Sequence, residues 1–174
     1  MMNEKILFLY SFAVFILTLS PGPDILFLVS TTLNKNLNNA IVMAFGLCSG
    51  ILIHTVSAAF GLGYFVSKFP ELLSLIKLIG CLYLIYLSYL YFPKKKYKTI
   101  INKNFNVLSK PFTQGLIMNL SNPKIILFFI SFFPQFIFHH QWTIELQFYI
   151  LGLLFSFISL ATFICILILI NIIK

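Results

Sequence analysis

Five long apolar runs, at 6–30, 40–66, 72–92, 112–138 and 144–173, leave little of this chain for anything else. A helix needs roughly 20 apolar residues to cross about 30 Å of hydrocarbon, and each run is long enough. Only 9% of the 174 residues are charged, against about 25% in a typical soluble domain. A water-facing surface cannot be built from so few charges. Disorder is excluded by the 60% hydrophobic content. The expected fold is all-α: a polytopic membrane helix bundle of five transmembrane helices, forming a single transmembrane domain over 1–174. The first run follows Lys5 as a signal peptide would. It lacks a small-residue cleavage site and continues past its proline break, so it reads as a retained helix.

The linkers set the orientation. The net charge is +8, and every basic residue is a lysine. Lys94, Lys95, Lys96, Lys98, Lys103 and Lys110 crowd into the linker 93–110, and Lys35 marks the linker between the first two runs. Lys-rich loops stay on the cytoplasmic side. Placing both linkers there puts the N-terminus outside and Lys174 in the cytoplasm, in a multi-pass protein of the cell membrane. The lysines thus read as topology determinants, with anionic lipid a lesser partner and no role for nucleic acid. The outer linker holds His139, His140, Gln141 and Trp142, and puts the single Trp at an interface where its ring is favoured. Its two histidines are an incomplete ligand set, so no metal is expected. Cys48, Cys81 and Cys165 all fall inside apolar runs and read as small core hydrophobes.

Two apolar runs contain groups that lipid does not tolerate. The first is broken by Pro21, Gly22, Pro23 and Asp24, the fourth by Asn122, Pro123 and Lys124. A charge at bilayer depth costs about 2.5–3.5 kcal/mol on insertion scales. Proline removes a backbone donor and interrupts the helix, and the freed carbonyls need partners from protein or from a wet cavity. Broken helices at membrane depth form substrate sites in transporters. Aligning Pro23 with Pro123 pairs Asp24 with Lys124, as in two inverted repeats. The two charges are expected to meet across the repeat interface, either as a substrate or coupling site or as a fixed ion pair.

The second run carries Gly46, Gly50 and His54 at spacings of four, continuing through Ala58 and Gly61 along one helical face. Small residues so spaced let helix backbones approach closely, so the glycines read as packing positions. His54 either relays protons or hydrogen-bonds a neighbouring carbonyl. Gln114, Asn119 and Asn122 line a polar cavity or satisfy the carbonyls freed by Pro123. Ser156, Ser159 and Thr162 form a hydroxyl stripe that can bond back to its own helix.

The motifs LSPGPD, GLCSGILIH, KLIGCLYLIYLSY, FTQGLIMNLSNPK and FFPQF, in this order, resemble the lysine exporter and threonine-homoserine exporter family of amino-acid efflux permeases. The resemblance implies two inverted three-helix repeats and export of amino acids or close derivatives, driven by the proton-motive force. It also implies a sixth helix, which this chain is read as lacking, and an acidic residue where this chain has Ser159. An amino-acid exporter is the first reading. A truncated homologue serving as a structural or partner subunit is the second. A membrane enzyme is not expected: there is no H-E-x-x-H motif and no pair of intramembrane carboxylates. The expected partners are a small-molecule amino acid, the lipid bilayer and a possible second copy of the chain; no cofactor is expected.

Overall fold

The computed structural model describes residues 4–68, Leu75, Leu78, Cys81, Leu82, Ile85, Tyr86, and residues 110–139 and 141–173. Most of the third predicted span, nearly all of the lysine-rich linker, His140 and Lys174 lie outside the described residues. Helices dominate the rest. They are α1 (Glu4–Leu19), α2 (Pro23–Asn34), α3 (Leu37–Lys68), α4 (Pro111–Leu120), α5 (Pro123–Leu127) and α6 (Ile144–Ile173).

α3 and α6 are each long and apolar enough to cross a membrane. α1 with α2, and α4 with the chain from Pro123 to Phe136, qualify as spans when each pair is taken together, bent by 54° and 47°. The bends fall at the two predicted proline breaks. The fourth run does not continue as α-helix to its expected end. It passes through a π turn at Phe128–Phe132 and a 3-10 turn at Phe133–Phe136. Pro134 has no N–H for the Ile130 carbonyl, so a regular ladder cannot pass this point. The Gln135 side chain caps the nearby Ser131 carbonyl at 2.7 Å.

Burial runs opposite to that of a soluble protein. Phe8, Phe60, Phe157 and Ile173 are more than 70% exposed, while Asp24, Gln114, Asn119, Asn122, Gln147 and Ser159 are buried. Lipid solvates the exposed aromatic and aliphatic surface, whereas backbone and polar groups must find partners inside. The chain is therefore an all-α, multi-pass membrane bundle. The same logic corrects the cysteines. Cys48 is buried, but Cys81 and Cys165 are exposed; an apolar surrounding in a membrane helix is as often lipid as protein core.

α3 packs most extensively against α4 and α6. The α3–α4 crossing is reciprocal. A Cβ on Gly46 would collide with the Phe112 carbonyl, and one on Gly115 with the Met43 carbonyl. A Cβ on Gly152 of α6 would collide with Thr55 of α3. A Cβ on Gly50 would stand 2.6 Å from Asn119 Oδ1, so Gly46 and Gly50 both sit where α3 closely approaches α4. At Gly61 nothing among the described residues lies within 4 Å of an added Cβ. A second layer of packing is aromatic. Phe133 meets Phe129 and Phe148 at ring-centre distances of 4.6 and 4.9 Å, and Tyr10 donates to the Leu151 carbonyl at 2.8 Å.

Candidate functional site at the two helix breaks

The first break leaves backbone oxygens without their helical donors. In a continuous helix the N–H of residue 21 would bond the Leu17 carbonyl, but Pro21 has no N–H. The chain is extended at Gly22, which caps α2, so the Ser20 carbonyl also loses its regular partner. The Ser20 hydroxyl donates to Leu17 O at 2.7 Å, and Lys124 from the other broken pair reaches both oxygens. Its Nζ donates to Leu17 O at 3.1 Å and to Ser20 O at 3.3 Å, and lies 3.4 Å from Ser20 Oγ. Gly22 makes room for it, because a Cβ there would stand 3.1 Å from Nζ.

The second break is solved the same way. Pro123 leaves the Asn119 carbonyl without its helical donor. That oxygen accepts from the Asn122 N–H at 3.0 Å and faces His54 Nε2, on α3, at 3.4 Å. A carbonyl can only accept, so this contact places the ring proton on Nε2. The His54 ring is stacked on Phe129 at 5.4 Å. Of the two readings of His54, the carbonyl bond is the one with a visible contact.

Asn122 joins the breaks. Its Oδ1 accepts from the Lys124 backbone N–H at 3.0 Å and so caps α5. Its Nδ2 donates to Asp24 Oδ1 at 2.5 Å. Asp24 sits in the first turn of α2, where the helix dipole favours an anion. The expected Asp24–Lys124 pair is present, but at 3.9 Å it is the loosest contact of the cluster. The carboxylate is held by Asn122, and the ammonium by neutral oxygens of the first break.

Two further acceptors and donors border this cluster. Asn119 Oδ1 is buried with no hydrogen-bond partner among the described residues, and it sits against Gly50, where a Cβ would be 2.6 Å away. Leaving such an acceptor unmade costs about 1–3 kcal/mol. Ser159 of α6 lies 3.0 Å from the Thr18 hydroxyl, just before the first break. The rest of the hydroxyl stripe diverges: Ser156 reaches the Cys48 carbonyl at 3.5 Å, and Thr162 bonds back to Ile158 at 2.7 Å.

Thus Gly22, Asp24, His54, Asn119, Asn122 and Lys124 form one connected cluster, with Pro21, Pro23 and Pro123 as the cause of its open carbonyls. Gln114 is buried in the first turn of α4, about 12 Å along the helix from Asn122. Leu17 and Ser20 are members that sequence reasoning missed, and Thr18 borders them through Ser159. The signal for Leu17 was available, since a proline always orphans the carbonyl four residues before it. His139, in the linker before α6, is stacked on Trp142 at 4.6 Å, and no cluster of metal-binding side chains occurs among the described residues.

The family model for LysE type translocators matches residues 15–174. The chain is similar to the leucine efflux protein of Salmonella choleraesuis (strain SC-B67), at 32% identity over 72% of this chain and 59% of the relative. It is also similar to the leucine efflux protein of Enterobacter sp. (strain 638), at 30% identity over 74% of this chain and 62% of the relative. The chain spans about three fifths of the length of these curated relatives. No solved structure matches it significantly.

Proposed function

The chain belongs to the LysE type translocator family, and on that premise we propose that it exports amino acids from the cytoplasm through the polar junction of its two broken helices. The observation that carries this reading is the junction of the two broken pairs: Asn122 donates across it to Asp24, and Lys124 donates across it to oxygens freed by proline. An amino acid is a zwitterion. Its ammonium needs acceptors, which Leu17, Ser20 and Asp24 offer. Its carboxylate needs donors, which the Asn122 amide and the Lys124 ammonium offer. The two leucine efflux relatives make leucine the first substrate to try and favour transport over a structural-subunit role.

The finer assignments are part of the same proposal. Export draws on the proton gradient, and His54 is the candidate coupling group, because an imidazole changes charge near neutral pH and this one faces a freed carbonyl. The lysine-rich linkers lie in the cytoplasm, and the two broken pairs open the two halves of an inverted repeat.

The test is efflux of labelled leucine, then of a wider amino-acid panel, from preloaded cells with and without the protein. Faster loss in expressing cells, abolished by collapsing the proton gradient, is the expected result. Equal loss across the whole panel overturns the exporter reading.

A further inference from the structure

The ammonium of Lys124 is held as a ligand rather than as half of an ion pair. A primary ammonium carries three N–H donors and no acceptor. Three oxygens, Leu17 O, Ser20 O and Ser20 Oγ, lie 3.1–3.4 Å from Nζ, all closer than the nearest carboxylate oxygen at 3.9 Å. The oxygens belong to the first break and the ammonium to the other broken pair, more than a hundred residues away in sequence. Lys124 begins α5, where the helix dipole disfavours a cation, so nothing in its own helix holds the ammonium. What receives it is a cradle of freed carbonyls, with Gly22 leaving the space. The carboxylate of Asp24 stands just behind the cradle and is fixed by Asn122.

We propose that Lys124 is a tethered occupant of a primary-ammonium site, formed by Leu17 O, Ser20 O and Ser20 Oγ, which the ammonium of a substrate enters by displacing it. This rests on the exporter reading above and deepens it. The displaced Lys124 ammonium is freed to meet the substrate's carboxylate, so a zwitterion replaces one internal contact with two. The substrate class follows. Compounds with a free primary ammonium and a nearby carboxylate fit; N-acylated amino acids, which are neutral at nitrogen, and tetraalkylammonium ions, which have no N–H, do not.

The test is to vacate the cradle and refill it. In Lys124→Ala, the purified full chain should respond to n-butylammonium, whose alkyl chain replaces the missing stem. In Lys124→Met, whose four-atom side chain replaces the whole stem and lacks only the nitrogen, the ammonium ion itself should suffice. Each of these two ions should raise the midpoint of thermal unfolding by on the order of 5 °C at saturation. Tetramethylammonium should leave both variants unchanged, and wild type should respond to none of the three, because a cation without a carboxylate offers the displaced Lys124 ammonium no new partner. No shift in either variant, or equal shifts with tetramethylammonium, overturns the proposal. Lys124→Met covers the case in which Lys124→Ala does not fold. Efflux by wild type without an amine response in the variants overturns the tethered occupant and leaves the exporter reading intact. An amine response without efflux supports the cradle and overturns the exporter reading.

Discussion

The Lys124 ammonium lies 3.1 Å from the Leu17 carbonyl oxygen, the oxygen that Pro21 deprives of its helical donor. A defect in one broken helix is thereby repaired by a charge from the other. The second defect, at the Asn119 carbonyl, faces His54 of α3 at 3.4 Å. Each freed carbonyl also has a local donor, the Ser20 hydroxyl for Leu17 and the Asn122 N–H for Asn119, so a movement of one broken pair against the other releases the Lys124 ammonium more than it orphans the backbone. Such paired, exchangeable contacts are what a transporter needs at the place where it opens.

The roles of the two charges separate in a swap. Asp24→Asn should insert normally and lose export by roughly tenfold or more, since a hydrogen bond to a charged group is worth about 1.5–3 kcal/mol. The double variant Asp24→Lys with Lys124→Asp keeps an ion pair across the junction but puts an acceptor where Leu17 and Ser20 need a donor. It should not recover export in the labelled-leucine assay. Recovery would mean that the 3.9 Å ion pair, rather than the carbonyl cradle, is what Lys124 serves.

His54→Gln tests coupling apart from structure. A glutamine amide can still donate to the Asn119 carbonyl but does not titrate. The variant should remain folded, export at a rate within about threefold of wild type at one pH, and show a flattened rate profile between about pH 5 and 8. His54→Leu should cost only about 0.6 kcal/mol of stability, the mean for such bonds in membrane bundles, because Asn122 still donates to the same oxygen. A wild-type profile in His54→Gln removes His54 from the coupling role.

The glycines of the α3–α4 crossing divide from the one that meets nothing. Gly46→Val and Gly115→Val each place a side chain against backbone of the facing helix, which cannot step aside. Overpacking of this kind costs about 1–3 kcal/mol. The two effects should not add, since both act on one crossing. Gly61→Ala should be neutral or stabilising by up to about 1 kcal/mol, because a helical glycine is replaced where space is open. Thermal unfolding of the three variants in one detergent reads the contrast.

The membrane bundle was legible in the apolar runs, and both breaks in their prolines, because length and a missing N–H are local properties. The polar cluster was legible as a set: Asp24, Asn119, Asn122 and Lys124 stand out chemically in such a chain. Its wiring was not. Alignment of the two breaks pairs Asp24 with Lys124, but the structure gives the carboxylate to Asn122 and the ammonium to the backbone. Pro21 marks the Leu17 carbonyl as orphaned, but a backbone acceptor carries no residue-type signature for the partner that will reach it, so its pairing with Lys124 could not be read. Gly115 lies four residues before Asn119, as Gly46 lies four before Gly50, yet its partner Met43 is set by the crossing geometry, which is a tertiary fact. Tyr10 and Gln147 escaped for the same reason: each is one polar group in an apolar run until its distant partner is known.

Gln147 is the strongest case. It is buried in the first turn of α6, and its side chain makes four hydrogen bonds to the backbone that leads into that helix. Its Oε1 accepts from the N–H groups of Phe138 and His139 at 2.8 and 2.9 Å. Its Nε2 donates to the carbonyls of His139 and Trp142 at 2.8 and 3.1 Å. One amide thus fixes the linker between the fourth run and α6, and with it the His139–Trp142 stack. Gln147→Leu keeps the volume but leaves several of these backbone groups unpaired at a buried position. At about 1–3 kcal/mol for each buried group left unsatisfied, the loss should be at least about 3 kcal/mol, seen as a large fall in thermal stability. Gln147→Glu retains the acceptor and, protonated below the carboxylate's titration range, can keep one of the two donated bonds, so there it should fall between wild type and Gln147→Leu. If Gln147→Leu unfolds at the wild-type temperature, the linker is held by its stacked rings and not by this amide.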